Sequence, residues 1–357
     1  MPAFFAAISS RQWLLGLSML LCLGMAQAQA PSGGRSEADQ AAVVDALSRA
    51  SAAVVGVRVT AADEARSIAT LGKERAGSGV VIGKDGLILT IGYLMLEAQS
   101  IRIITQDNKT LPAVAVGYDL ATGFGLIRPL LPLADVAPVE LGSQSHVNTG
   151  EALMTAVGST DTGLEADVSL TRLVSKRAFS GSWEYHIDSA LFTSPPVQAG
   201  NGNHSGAGLF NQKGQLLGIG SLLVMDAIGE NRRMPGNMFV PVDLLKPILD
   251  EMRQSGTSRL SVRPWLGLTS SDAGGRVQVL RVSEDSPARQ AGLKSGDVVL
   301  AVDGHKVTSL ETFYKKLWDR PSAVETIKLT VLQGADVNTV LVQPQDRMAQ
   351  LRKAGGI

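Results

Sequence analysis

Cysteine is almost missing from this chain of 357 residues. The single one, Cys22, lies in an apolar run from Trp13 to Met25 that follows Arg11 and precedes the small residues "AQAQA". A positive charge, a short apolar stretch and small residues in that order form an export signal. It is expected over residues 1–28 with a cut after Ala28, since a cut after Ala30 would leave Pro31 behind the scissile bond; an uncleaved anchor is the alternative. Leu20 and Leu21 before Cys22 argue against a lipoprotein signal. The mature chain then has no cysteine, which excludes disulfides and thiol chemistry. Export without disulfides points to a bacterial periplasm.

A charge excess is missing as well. Lys+Arg and Asp+Glu both total 33, so no broad basic field exists to draw nucleic acid. The apolar run at the N-terminus is shorter than the roughly 20 residues a membrane span needs. Histidines number four, and no His/Cys/carboxylate spacing resembles a metal site. No metal and no other cofactor is expected, and no internal repeat is evident.

Glycine, by contrast, is abundant: 38 glycines with 15 prolines suit strands and turns better than a helical bundle. After a linker (Pro31 to Gly34), Ser36 and Asp39 read as a capping box opening a helix with Val43, Val44 and Leu47 on one side. From Ala53 to about Val242 the pattern is one of strands. "VVGVRV" precedes "GSGVVIGKDGLILT", a hairpin turned at Gly83-Lys84-Asp85-Gly86. "IRIITQDNKTLPAVAVGYD" turns near Asp107-Asn108, and "LLGIGSLLV" and "MFVPVDLL" follow. Many short strands with Gly and Asn between them argue for a β-barrel or sandwich. A helix from Val242 to about Gln254, ending before Ser255-Gly256, is expected to close this region.

A second unit begins near Arg263. "VQVLRV" reads as a strand, and "SPARQAGLKSGD" as a short helix with Ser286 as N-cap, Pro287 first and Gly292 as C-cap. "VVLAVDGHKV" is a hairpin turning at Asp303-Gly304. "SLETFYKKLW" is an amphipathic helix presenting Leu310, Phe313 and Leu317, with the strands "TIKLTVLQ" and "NTVLVQP" after it.

From about Ala50 to Pro344 the chain resembles the periplasmic HtrA (Do-like, DegP-type) serine protease family. The likeness is carried by "GSGVVIGKDGLILT", "LPAVAVGYD", "VELGSQSHVNTGEALMTAVGS", "HSGAGLFNQKGQLLGI" and "FVPVDLLKPIL", then by "WLGL", "VSEDSPARQAGLKSGDVVLAVDG" and "VTSL". It implies a mainly β fold: a trypsin-like double β-barrel over 53–254, preceded by a linker and helix over 29–52. An α+β PDZ domain over 263–344 and a tail over 345–357 would follow. The family's histidine segment, T-N-x-H-V, is here "LTIGYLM", with Tyr93 at the histidine position. The aspartate segment, T-D-L-A-V-L, is here "TGFGLI", with Gly123 at the aspartate position. The nucleophile segment keeps its serine, Ser205, after Asn203 and His204. The resemblance gives the oxyanion hole to the backbone N–H groups of Asn203 and Ser205, where the family has glycine at the former.

A serine hydroxyl is a poor nucleophile at neutral pH until a neighbouring base takes its proton. In the triad that base is histidine, oriented by aspartate. A tyrosine with its usual pKa near 10 is a weak base at pH 7, and Gly123 offers no side chain. His204 adjoins Ser205 in a turn where neighbouring side chains point apart. His146, His186 and His305 read as surface or satisfied histidines, and Asp119 as a non-catalytic aspartate of the family. The expected reading is an inactive pseudoprotease; the alternative keeps Ser205 as an active endopeptidase nucleophile with an unconventional base.

PDZ domains bind peptides by strand addition, with backbone N–H groups in a loop capturing the terminal carboxylate. The resemblance assigns that loop to Trp265, Leu266, Gly267 and Leu268. Leu268 would begin the edge strand, and Leu310, Phe313 and Leu317 would form the other groove wall. The partners implied are unfolded proteins or C-terminal peptides in periplasmic quality control. A homo-oligomer (trimer) or a non-enzymatic place in mixed oligomers with active HtrA relatives is the further implication.

Overall fold

The computed structural model describes residues 37–133, 136–160, 167–197, 204–229 and 232–352. The export signal, the Ser36 cap and Asn203 lie outside the described residues. Helix α1 (Glu37–Ala52) opens the described chain, with Ala50 buried and Leu47 packed on a core.

Two six-stranded closed barrels follow. The first comprises β1 (Val54–Ala61), β2 (Glu74–Val81), β3 (Ile88–Ile91), β4 (Ala98–Ile104), β5 (Thr110–Tyr118) and β6 (Phe124–Pro129). The second comprises β7 (Ala152–Val157), β8 (Asp167–Gly181), β9 (Tyr185–Ser194), β10 (Gly208–Phe210), β11 (Leu216–Val224) and β12 (Gly236–Pro241). The first closes in the order β1-β2-β3-β6-β5-β4, and the second repeats it as β7-β8-β9-β12-β11-β10. A repeat of topology is therefore present that the residues themselves do not display.

Side-chain alternation explains the packing. Val55, Val57 and Val59 share one cluster with Ile101, Ile103 and Ile127. Val54 and Val80 belong to another, which joins residues of both barrels, among them Phe124, Phe210 and Val240. Each such fully buried side chain contributes roughly 1.5–3 kcal/mol. The β2–β3 turn closes with Gly86 N–H donating to the Gly83 carbonyl at 3.0 Å, and Asn108 holds φ 59° in the β4–β5 turn.

The helix expected over Val242–Gln254 is broken. A short 3₁₀ turn (Val242–Leu244) gives way to α2 (Leu249–Ser255), with Gly256 capping it at φ 75°. Pro247 accounts for the break, because proline lacks the N–H donor and disfavours helical geometry before it.

The second unit has β13 (Pro264–Trp265) paired with β20 (Gln345–Asp346). Its main sheet runs β14 (Leu268–Ser271), β15 (Val277–Val282), β16 (Val298–Val302), β18 (Ile327–Gln333), β19 (Asp336–Val342), with β17 (His305–Lys306) on β16. Helix α3 (Pro287–Gln290) starts where Ser286 Oγ accepts from Arg289 N–H; it ends with Ala291 as its cap and Gly292 following at φ 86°. Helix α4 (Leu310–Trp318) carries a capping box between Ser309 and Thr312. Among the described residues no helix is long and apolar enough to cross a membrane.

Candidate functional site

Ser205 sits in the turn leading to β10, and the turn is pinned to the first barrel. Ser78 N–H donates to the Ser205 carbonyl at 2.8 Å, and Gly206 N–H donates to the Gly220 carbonyl at 2.8 Å. Gly206 has φ 79°, and a Cβ there would stand 1.9 Å from the Ser78 carbonyl oxygen. Only glycine lets the two barrels approach at this point.

Tyr93 lies across the cleft in the 3₁₀ turn Gly92–Met95 that follows β3. Buried Arg75 clamps that turn, its Nη1 donating to the carbonyls of Tyr93 at 3.1 Å and Leu96 at 2.8 Å. The Tyr93 hydroxyl stands 2.6 Å from Ser205 Oγ and 2.8 Å from the Ser221 carbonyl oxygen, and its single proton is shared between them. Serine catalysis needs a proton acceptor at Ser205 Oγ. A phenol stands there instead. Burial pushes the Tyr93 phenol up to about 12, and the Ser205 hydrogen bond opposes it. At pH 7 roughly one molecule in 10⁵ therefore carries the phenolate.

Gly123 is tied to the same turn through its backbone. It accepts from Gly92 N–H at 2.7 Å and donates to the Asp119 carbonyl at 2.8 Å. Its φ of 82° strains any residue with a side chain, and a Cβ would meet the Tyr185 hydroxyl at 3.5 Å. Asp119, four residues earlier, is fully buried and engaged elsewhere. Oδ1 accepts from the hydroxyls of Ser258 (2.5 Å) and Ser261 (2.6 Å); Oδ2 accepts from the Thr122 N–H (2.8 Å) and hydroxyl (2.6 Å). It ties the segment after β5 to the stretch between the barrels and the second unit.

The other titratable groups have their own places. His146 and His305 are exposed. Buried His186 has Nδ1 2.9 Å from Ser180 Oγ and Nε2 3.2 Å from Asp188 Oδ1. His204 is half-buried, and its carbonyl accepts from Ala207 N–H at 3.1 Å. His186, Asp188 and Glu311 come close enough together to hold a cation. The Lys315 ammonium, however, lies 2.7 Å from both carboxylates and already places a cation between them.

In the second unit the loop from Trp265 to Leu268 turns its N–H groups onto a carboxylate of the chain itself. Leu266 N–H donates to Glu184 Oε2 at 3.0 Å, while Gly267 and Leu268 N–H both donate to Oε1 at 2.7 Å. Glu184 occupies the tip of the β8–β9 hairpin and is 5% exposed. Burial pushes its carboxyl above the usual range, and Arg347 with the three N–H groups pulls it back. Leu310, Phe313 and Leu317, expected as a groove wall, pack inward from α4. They are 5%, 0% and 0% exposed and belong to the core of the unit with Leu266 and Leu268. Their i, i+3, i+7 spacing turns one helix face onto the sheet, and the hydroxyl of Tyr314 faces the hairpin instead.

Comparison with known proteins matches this architecture. Residues 77–219 match the model of the trypsin-like peptidase domain, and residues 264–343 that of the PDZ domain. A "Probable periplasmic serine endoprotease DegP-like" of Halomonas elongata is 27% identical over 292 residues, 78% of this chain and 58% of that protein. A protein of the same description from Pseudomonas fulva is 29% identical over 243 residues, 65% of this chain and 48% of that one. The chain belongs to the HtrA/DegP-type family. Its fold is also that of the serine endoprotease of Yersinia pestis (TM-score 0.51, 23% identity, 89% of this chain and 99% of that one). The HtrA-type protease AlgW with a decapeptide gives a TM-score of 0.53 at 19% identity, covering 87% and 99% of the two chains. The chain spans about half the length of the curated DegP-like relatives it matches.

Within this HtrA/DegP-type frame, three features escape the sequence reading. Arg75, the Ser221 carbonyl and Glu184 all act through tertiary contact. Nothing in "GSWEYH" marks Glu184 as the partner of a loop more than 80 residues away. Glu184 itself stands in the turn of that segment, at φ 59°.

Proposed function

We propose that this chain is an HtrA-like pseudoprotease that holds unfolded or C-terminal peptide segments in periplasmic protein quality control without cleaving them. The observation that carries the reading is the 2.6 Å hydrogen bond between the Tyr93 hydroxyl and Ser205 Oγ, which puts a phenol where the serine needs a base. A phenol with a pKa of about 12 is a poor acceptor for the serine proton at neutral pH. Gly123 adds nothing to orient a base. In subtilisin, loss of the serine or histidine costs on the order of 10⁶ in kcat, and the remaining rate does not sustain peptide turnover. The PDZ loop retains three convergent N–H donors suited to a carboxylate. Periplasmic residence rests on the N-terminal signal pattern and on the relatives described as periplasmic.

The test is incubation of the purified full chain with unfolded casein. Retention of casein on the immobilised protein without fragments is expected, equally for wild type and Ser205→Ala. Fragments that vanish in Ser205→Ala would overturn the reading.

A further inference from the structure

A PDZ groove recognises a peptide in two ways: backbone pairing along its edge strand and carboxylate capture by its loop. Both are already met from within the chain. Ser270 N–H on β14 donates to the Ser182 carbonyl at 2.9 Å. Two residues on, the Glu184 carboxylate takes the N–H groups of Leu266, Gly267 and Leu268. From α4 the Tyr314 hydroxyl donates to the Gly181 carbonyl at 2.8 Å and accepts from Glu184 N–H at 3.2 Å. Arg347, just beyond β20, donates through Nη1 to the carbonyls of Trp183 (3.0 Å) and Glu184 (3.4 Å). Strand, loop, helix and C-terminal segment all grip one four-residue tip.

We infer that the β8–β9 hairpin tip, Gly181 to Glu184, is an internal ligand of the PDZ groove, which a peptide with a free C-terminal carboxylate must displace. A side-chain carboxylate presents the same two-oxygen acceptor as a chain terminus, so the loop meets it with the same donors. The tip is built for this seat. Glu184 holds φ 59°, which residues with side chains seldom adopt. A carboxylate so buried persists only with its hydrogen bonds satisfied. The hairpin also reaches the Ser205 cleft. Tyr185, the next residue, donates its hydroxyl to the Thr122 carbonyl at 2.6 Å, beside Gly123. The seated tip lowers apparent peptide affinity by the fraction of molecules in which the groove is open.

The inference rests on the peptide-capture reading, and one experiment separates the two. A fluorescein-labelled decapeptide ending in valine, as free acid and as C-terminal amide, is titrated into full-length wild type, Glu184→Gln and Glu184→Ala. The free acid is expected to bind both variants at least tenfold more tightly than wild type, and the amide to show no such gain. Equal affinity in all three overturns the internal ligand and leaves peptide capture standing; no binding of the acid by any of them overturns both. Hydrogen exchange supplies a readout without peptide. The Leu266, Gly267 and Leu268 amides are expected to exchange slowly in wild type and at least tenfold faster in Glu184→Ala, with Val299 and Leu329 still protected as a sign of folding. Unchanged exchange in the loop of that folded variant overturns the inference.

Discussion

The hydrogen bond between Tyr93 and Ser205 makes a quantitative statement about how the serine reacts with pH. Reaction of Ser205 with a fluorophosphonate requires removal of its proton, and the group in contact with it is a phenol with pKa about 12. Roughly one phenol in 10⁵ is ionised at pH 7 and one in 10³ at pH 9. Whether the phenolate or hydroxide removes the proton, labelling at Ser205 rises about tenfold per pH unit and does not level off between pH 6 and 9.5. A base titrating near pH 7 would instead give a plateau above about pH 8, with rates near neutrality on the order of 10⁵-fold higher. The window must stop short of pH 10. The Tyr93 pKa is raised on folding from 10.0 to about 12, so its contribution to stability is whole below pH 10 and is lost as pH climbs toward 12. At most about 3 kcal/mol disappears over that interval. The assay is gel fluorescence of labelled protein against time at each pH, with Ser205→Ala as the blank. A plateau near neutrality that the blank lacks would refute the reasoning, because it requires an acceptor that Tyr93 is not.

Two further substitutions probe the frame around the cleft. Asp119→Ala leaves the hydroxyls of Ser258, Ser261 and Thr122 and the Thr122 N–H without their acceptor. A loss of roughly 3–5 kcal/mol is expected in urea unfolding, with faster proteolytic nicking around 258–261; a loss under 1 kcal/mol would show the network to be incidental. Gly206→Ala forces a Cβ against the Ser78 carbonyl, 1.9 Å away, at φ 79°. It is expected to cost about 2–4 kcal/mol by thermal unfolding, and an unchanged Tm would mean that the barrels part easily at this seam.

Local chemistry wrote much of the fold into the residues. The turns at Gly83–Gly86, Asp107–Asn108 and Asp303–Gly304 and the cap at Ser286 depend on neighbours a few positions apart, so they are legible without coordinates. Pro247 carried the break in the expected helix in the same local way, although the apolar pattern around it masked the signal. The places of Tyr93, Gly123 and Ser205 in the family's three catalytic segments came from the resemblance alone.

What the sequence determined by itself is which groups are available: a serine at 205, a phenol at 93, a glycine at 123, and a loop of backbone donors. Tertiary structure alone decided whom they meet. Tyr93 finds Ser205 across 112 residues, and Glu184 finds the Leu266–Leu268 loop across 82 to 84. The matching order of the two barrels likewise depends on strands remote in sequence. Such pairings follow from the closure of barrels and the docking of a hairpin. Hydrogen bonds of this kind depend on positions accurate to tenths of an ångström, which no local periodicity encodes.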